Sequence, residues 1–294
     1  MKMDFQKLIE GSRYKDLAIL KEEISQVMLD KRYKTEIFTN FTFNGFYRAR
    51  VHNHLEGNFD KNGVLHKFTN ETEFWNPPSS NVKMGRCNAD GESIFYCSSD
   101  FVTAVLEVKP KVGDYITVVN FKSFYIEEVP QFRINPIGKN YLMKISSLQN
   151  LFGGYVLDEG QNEIESFLDE LFHQNVDEND IYKYKLSVAI SHIFMTDGTN
   201  IKKDIFKTDG LLYPSIVRNQ ESYCFALKPW WVHCFFKIST IQTIQIIEKG
   251  NDFLKLKLLR NGWVKGEKIY PADLFDIEWM TPPIRLENTE RIEF

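Results

Sequence analysis

The stretch Gly85–Pro110, GRCNADGESIFYCSSDFVTAVLEVKP, decides how the rest of the chain is read. It sets an arginine behind a glycine (Arg86), a tyrosine at the end of an apolar run (Tyr96) and a glutamate near the end of a helical pattern (Glu107). Ile94, Phe95 and Tyr96 are β-formers bounded by Asp90-Gly91 and Ser98-Ser99, so a short buried strand is expected. Ser98, Ser99 and Asp100 then offer helix N-caps, and Phe101, Ala104, Val105 and Val108 fall on one apolar stripe. Asp100, Thr103 and Glu107 share the flank of that stripe, and Pro110 is expected to end the helix. In that frame Glu107 can face a cleft while its neighbours hold the helix to a core.

Upstream, residues 35–51 turn to a β pattern through Ile37, Phe38, Phe41, Phe43, Phe46 and Tyr47. Arg48 and Arg50 are two apart and project to one face of a strand. They read either as an anion site, because guanidinium grips phosphate with a bidentate fork, or as a solvent-facing pair with carboxylate partners. Downstream, the turn Asp209-Gly210 leads into Leu211, Leu212 and Tyr213, then Pro214-Ser215. That is a strand ending in a kink, where a hydroxyl can sit at a sheet edge. On residue type alone, Tyr96 is also readable as a core aromatic and Ser215 as a turn hydroxyl.

These pieces, in this order, resemble the RES domain family. The matching residues are Gly85-Arg86 with Asn88, Tyr96 closing its strand, and Thr103-Ala104 with Glu107-Val108 and Pro110. Phe46-Tyr47-Arg48-Ala49-Arg50 and Asp209–Ser215 complete them. With flanks, the resemblance covers residues 43–229. It implies an α/β chain with an ADP-ribosyltransferase-like mixed, split sheet and flanking helices. It also implies an enzyme that degrades NAD, a toxin whose partner is a cognate antitoxin. NAD is then the substrate, and no other cofactor is expected. The resemblance gives Glu107, Arg48 and Ser215 the catalytic positions, and Arg86, Tyr96 and Arg50 the contacts to NAD. Glu107 contacts the ribose hydroxyls or steadies the cation that forms there; Arg48 and Arg86 hold the phosphates or the ribose. Tyr96 meets the nicotinamide end, and Ser215 positions the ribose or the amide.

The bulk properties exclude several classes. A chain of 294 residues with 43% hydrophobic content can bury a full core. A net charge of −4 leaves no global basic footprint for nucleic acid. Cys87, Cys97, Cys224 and Cys234 form no CxxC pair, and the N-terminus has no signal-peptide pattern, so a cytoplasmic location is expected. No apolar stretch approaches the roughly 18 residues that span a bilayer. His52 and His54 lack a second ligand pair at a recognised spacing, so no metal site is expected. Neither GxGxxG after a strand, GxxxxGK[ST] nor HExxH occurs, which disfavours a Rossmann dehydrogenase, a P-loop NTPase and a zincin.

Residues 1–34 read as an extension of two amphipathic helices, with Phe5, Leu8 and Ile9 on one stripe and Leu17, Leu20, Ile24, Val27 and Met28 on another. It packs on the chain's own core, supports a homodimer, or binds a partner. Residues 35–280 read as the catalytic domain and 281–294 as a polar tail. Further elements expected are a strand over 114–125, helices over 142–151, 163–172 and 182–194, and a strand over 222–228. His192 reads as a core or edge residue. A terminal β-ribbon is expected from 230–246 and 253–263. Three functions compete: NAD cleavage by phosphorolysis or hydrolysis, ADP-ribosyl transfer to a macromolecule, and a non-catalytic binding module whose arginines are structural ion pairs.

Overall fold

The computed structural model describes residues 5–31, 33, 37–41, 45–52, 74–123, 132–155, 158–174, 176, 178–195, 208–218, 221–265, 268–272 and 290–293. In chain order the elements begin with α1 (Phe5–Ser12), α2 (Leu17–Asp30), β1 (Phe38–Phe41) and β2 (Phe46–His52). β3 (Phe95–Ser98), α3 (Phe101–Glu107), β4 (Tyr115–Ser123), β5 (Phe132–Pro136), α4 (Lys139–Leu142) and α5 (Glu159–Phe172) follow. Then come α6 (Tyr184–Met195), β6 (Gly210–Pro214), β7 (Tyr223–Leu227) and α7 (Pro229–Phe235). The last are β8 (Phe236–Lys249), β9 (Phe253–Lys265), β10 (Lys268–Ala272) and β11 (Glu290–Glu293). With parallel and antiparallel pairings and helices throughout, the protein is of the α/β class, as expected.

The chain divides into two units. The first comprises Met1–Thr42, Pro77–Tyr96 and Pro130–Val232; the second comprises Phe43–Asn76, Cys97–Val129 and His233–Phe294.

In the first unit the strands run β1-β5-β6-β7. β5 and β6 are parallel, with Ile134 opposite Gly210 and Pro136 opposite Leu212, while β1–β5 and β6–β7 are antiparallel. Every residue of β6 is buried, which suits a strand covered on both faces. Its core joins Leu168 and Phe172 of α5, Leu186, Ile190 and Phe194 of α6, and Leu211 and Tyr213 of β6. Leu8, Leu20 and Ile24 from α1 and α2 enter the same core, and Ile9, Leu17 and Met28 pack against it partly buried. Asp16 caps α2 by accepting from Ile19 N.

One buried ion pair lies inside this unit, among the described residues. Lys139 Nζ lies 2.9 Å from Glu165 Oε1, and both side chains are fully buried. Tyr155 Oη accepts from Lys139 Nζ at 2.8 Å, and the hydroxyl of Tyr33, which follows α2, donates to Glu165. The ammonium also sits 4.8 Å from the Tyr155 ring centroid and 5.4 Å from that of Tyr33. Burial pulls the Lys139 pKa down, but Glu165 and Tyr155 outweigh it and leave the pKa above the ordinary lysine value. A buried charge is tolerable when every neighbour compensates it in this way.

In the second unit, β2 and β8 flank β4, β9 pairs with β8, and β10 and β11 both pair with β9, all antiparallel. α3 packs on β2 and β4. Phe46 stacks on Phe121 and meets Phe236, linking β2, β4 and β8 through their aromatic rings.

Several expectations shift. Residues 142–151 do not form one helix: α4 stops at Leu142, and a 3₁₀ turn follows at Ser146–Leu148. Residues 230–235 are helical, as α7, before the expected ribbon begins at Phe236. β3 starts at Phe95 rather than Ile94. α3 ends at Glu107, ahead of Pro110, where Lys109 takes a left-handed φ of 51°. Within the stretch read as a tail, Glu290–Glu293 pairs with β9. His54, Phe43, residues 124–125 and residues 281–289 lie outside the described residues.

Candidate functional site

The first unit carries Arg86, Tyr96 and Ser215; the second carries Arg48, Arg50 and Glu107.

Arg86 projects from a loop whose shape is fixed by its own residues. Gly85 N–H donates to Asn88 O at 3.0 Å, closing a tight turn around Arg86 and Cys87. Buried Asn88 donates from Nδ2 to Lys83 O at 2.9 Å and to Ala89 O at 2.8 Å. Its Oδ1 accepts from Tyr96 Oη at 2.8 Å, and Tyr96 Oη in turn accepts from Cys87 N–H at 2.8 Å. Asp90 Oδ1 accepts from Met84 N–H, and Gly91 N–H donates to Val82 O. Position 85 has no room for a side chain: a Cβ there would lie 2.7 Å from Asn88 Oδ1 and 3.2 Å from Tyr96 Oη. The glycine, the arginine, the asparagine and the tyrosine of the motif are therefore parts of one hydrogen-bonded turn.

The Arg86 guanidinium lies 5.4 Å from the Tyr213 ring centroid, a cation–π contact with the end of β6. Its charge reaches further. It opposes burial at Cys87, whose thiol is pushed up to about 11, and it adds to the burial that lowers the His173 imidazole. Burial also drives the Tyr96 phenol well above its ordinary value, so it stays a neutral hydrogen-bonding group.

Ser215 is fully buried just beyond β6. Its N–H donates to Ser222 O at 3.0 Å, and its Oγ accepts from Val217 N–H at 3.4 Å across the turn.

α4 and α5 flank the end of the parallel strands β5 and β6, and they meet in a register of rungs. Lys139 pairs with Glu165, Asn140 Nδ2 donates to Asp169 Oδ2 at 2.6 Å, and Tyr141 stacks on His173 with centroids 4.6 Å apart. The spacing 165, 169, 173 is one face of a helix. Asp169 is buried beside Gly138 and Pro214, and a Cβ on Gly138 would lie 3.2 Å from Asp169 Oδ1 and 3.0 Å from Pro214 Cδ. Burial raises its pKa to about 7, and neighbouring Glu165 adds to the rise against the Asn140 hydrogen bond. Phe172 of α5 also packs near Tyr213. Arg86, Tyr213, Ser215, Asp169 and His173 thus sit around the C-terminal edge of the parallel pair, the edge at which open α/β sheets offer a ligand crevice.

In the second unit, Arg48 and Arg50 lie on β2 opposite Val119 and Thr117 of β4. Alternation turns them to the face away from Tyr47, whose ring meets Phe101 of α3 edge-on. The Arg48 charge opposes burial at Cys97, and Arg50 adds to the burial that lowers His52 to about 4. His52 Nε2 is 2.8 Å from Thr117 Oγ1. Glu107 ends α3, half-buried. The helix that carries it is firmly started: Asp100 accepts from Thr103 N–H at 2.8 Å and from Thr103 Oγ1 at 2.7 Å. Among the described residues, no group of three or more His, Cys, Asp or Glu is arranged to hold a metal.

A family model for the RES domain matches residues 64–246. The chain belongs to the RES domain family. The family is associated with NAD-related toxin–antitoxin systems. The matched RES range contains Arg86, Tyr96, Glu107 and Ser215, and begins after Arg48 and Arg50. A comparison with curated proteins finds no match. No helix among the described residues is long and apolar enough to cross a membrane.

Sequence reading passed over Tyr213 as a platform for Arg86, and over Asp169 and His173 altogether. Tyr213 had a signal, an aromatic in the quoted segment before Ser215. Asp169 and His173 had none, since each is an ordinary polar residue of an amphipathic helix and its terminus.

Proposed function

We propose that this RES domain cleaves NAD at the bond between nicotinamide and ribose. In phosphorolysis, an oxygen of inorganic phosphate bonds to the ribose C1″ as the C–N bond breaks. The bonding pair leaves with nicotinamide, whose ring returns to neutral, and ADP-ribose 1″-phosphate remains. In hydrolysis, water takes the place of phosphate, and the products are ADP-ribose, nicotinamide and a proton. Both routes pass through a ribosyl cation. The protein's task is to hold the dinucleotide still and to set fixed negative charge where positive charge develops.

The observation that carries this reading is the Arg86 turn. A cation is presented from a loop that needs no ligand to hold its shape, beside an aromatic ring and the end of a parallel strand pair. Such an arginine suits a pyrophosphate, whose paired oxygens match its fork. The family resemblance names Arg48 and Arg50 as candidates for the phosphates and ribose, Ser215 for the nicotinamide end and Glu107 for steadying the cation. Tyr96 contributes through the turn it pins, because its hydroxyl already donates to Asn88. On this reading the protein acts as the toxin of a pair and takes a cognate antitoxin as its partner.

Titration calorimetry with NAD tests the anchor directly. Phosphate contact exists before the bond breaks, so Arg86→Ala should weaken NAD binding and raise KM more than it lowers kcat. Unchanged affinity in Arg86→Ala would remove Arg86 from the site.

A further inference from the structure

The bonds within the Arg86 loop fix its shape; a second set fixes where that shape points. Glu92, at the far end of the loop, accepts from Ala89 N–H at 2.9 Å through Oε2. The same oxygen lies 2.6 Å from His192 Nε2 in the last turn of α6. His192 is mostly buried, with 14% of its side chain exposed, whereas Glu92 is 46% exposed. The contact ties the Ala89–Glu92 end of the loop to the last turn of α6. One residue earlier on α6, the Ser191 hydroxyl neighbours the Cys87 thiol, and Cys87 is itself part of the core. Two successive residues of one helix end therefore bear on the two ends of the segment Cys87–Glu92.

We infer that His192 and Glu92 are positioning residues, a peg that sets the Arg86 loop against α6 and so sets the pose of the arginine toward an anionic substrate. This rests on the reading of Arg86 as the phosphate anchor. A polar contact with one partner half exposed adds little to global stability. Its effect belongs to the local opening of the loop, an event with its own free energy. The peg acts through Arg86, so its contribution to substrate affinity must vanish once Arg86 is gone.

Two readouts decide the matter. The first uses the protein without substrate. Amide hydrogen exchange is followed at Cys87, Ala89 and Gly91, whose N–H groups are bonded inside the loop. His192→Ala and Glu92→Gln should each speed exchange there by about tenfold, with the melting temperature almost unchanged. Unaltered exchange in both variants overturns the peg, whatever the protein's substrate. The second readout is the kinetics of NAD loss. Each variant should raise KM about three- to tenfold with kcat nearly constant, and should add nothing further in an Arg86→Ala background. A KM effect that persists undiminished without Arg86 overturns the coupling. Wild-type protein that neither binds nor consumes NAD refutes the proposed function instead, and the exchange experiment still judges the peg.

Discussion

Arg86 is held in place by neighbours whose hydrogen bonds are all made within the protein. Tyr96 is the clearest, because its single hydroxyl serves as acceptor for Cys87 N–H and donor to Asn88 Oδ1. Tyr96→Phe leaves a buried N–H and a buried amide oxygen short of a partner, a loss of about 1–3 kcal/mol. The expected result in urea unfolding is a lower midpoint at unchanged slope, with NAD affinity reduced as well. Asp169 makes a prediction of opposite character. Its folded pKa of about 7 lies above the unfolded carboxylate value, so the native state holds an extra proton between roughly pH 4 and 7. Its contribution is complete below that window and declines as pH rises through it, by at most about 1.4 kcal/mol per pH unit. Asp169→Asn should flatten this fall in a series of urea midpoints from pH 4 to 8. A slope equal to that of the wild type would show that another group titrates. The turn around Arg86 was legible in the sequence as a pattern, Gly85-Arg86 with Asn88 and Tyr96, but its purpose was not. Only the fold shows that Asn88 is the hub and that Gly85 is required by the close approach of Asn88 and Tyr96.

The N-terminal helices belong to the element scale. α1 and α2 bury Leu8, Leu20 and Ile24 in the first unit's core, and the residue that follows them, Tyr33, bonds to a carboxylate inside it. Lys31 reaches Glu163 on α5 as well. Deleting residues 1–34 exposes that apolar surface and leaves Glu165 with one partner fewer. A lower melting temperature or lost solubility is expected, and an unaltered melting curve would point to an arm that does not dock. The helices were readable because amphipathic periodicity is a local signal. The Lys139–Glu165 pair was not, since 26 residues separate its members and nothing local marks either one. α7 was misread for a different reason. Trp230, Trp231, Val232 and Phe235 are residue types that strands favour, and that composition outweighed Pro229, which suits the first turn of a helix. The broken run after Leu142 has Ser146-Ser147 at its centre, residues that bond their own backbone and compete with a helix. α5 began earlier than periodicity indicated, at Glu159, because Asp158 and Gln161 form a capping box that the sequence displays as D-x-x-Q.

At the scale of the whole molecule, the family match, the α/β class and the preorganised arginine turn bear on one question, which is whether this chain consumes NAD. On the proposed function, the decisive chemistry falls to Glu107. Glutamine at that position keeps the shape but removes the charge a ribosyl cation needs, a loss of about 10²–10³ in rate for one preorganised electrostatic contact. The most direct measurement incubates purified wild type and Glu107→Gln with NAD, with and without inorganic phosphate. Magnetic resonance identifies the products, and circular dichroism verifies the fold of both proteins. The predicted result is nicotinamide release by the wild type, with ADP-ribose 1″-phosphate forming when phosphate is supplied or ADP-ribose when water is the acceptor. Glu107→Gln, equally folded, is predicted to release nicotinamide at least about a hundredfold more slowly. NAD left intact by folded wild-type protein, or consumed as fast by Glu107→Gln, would contradict the account.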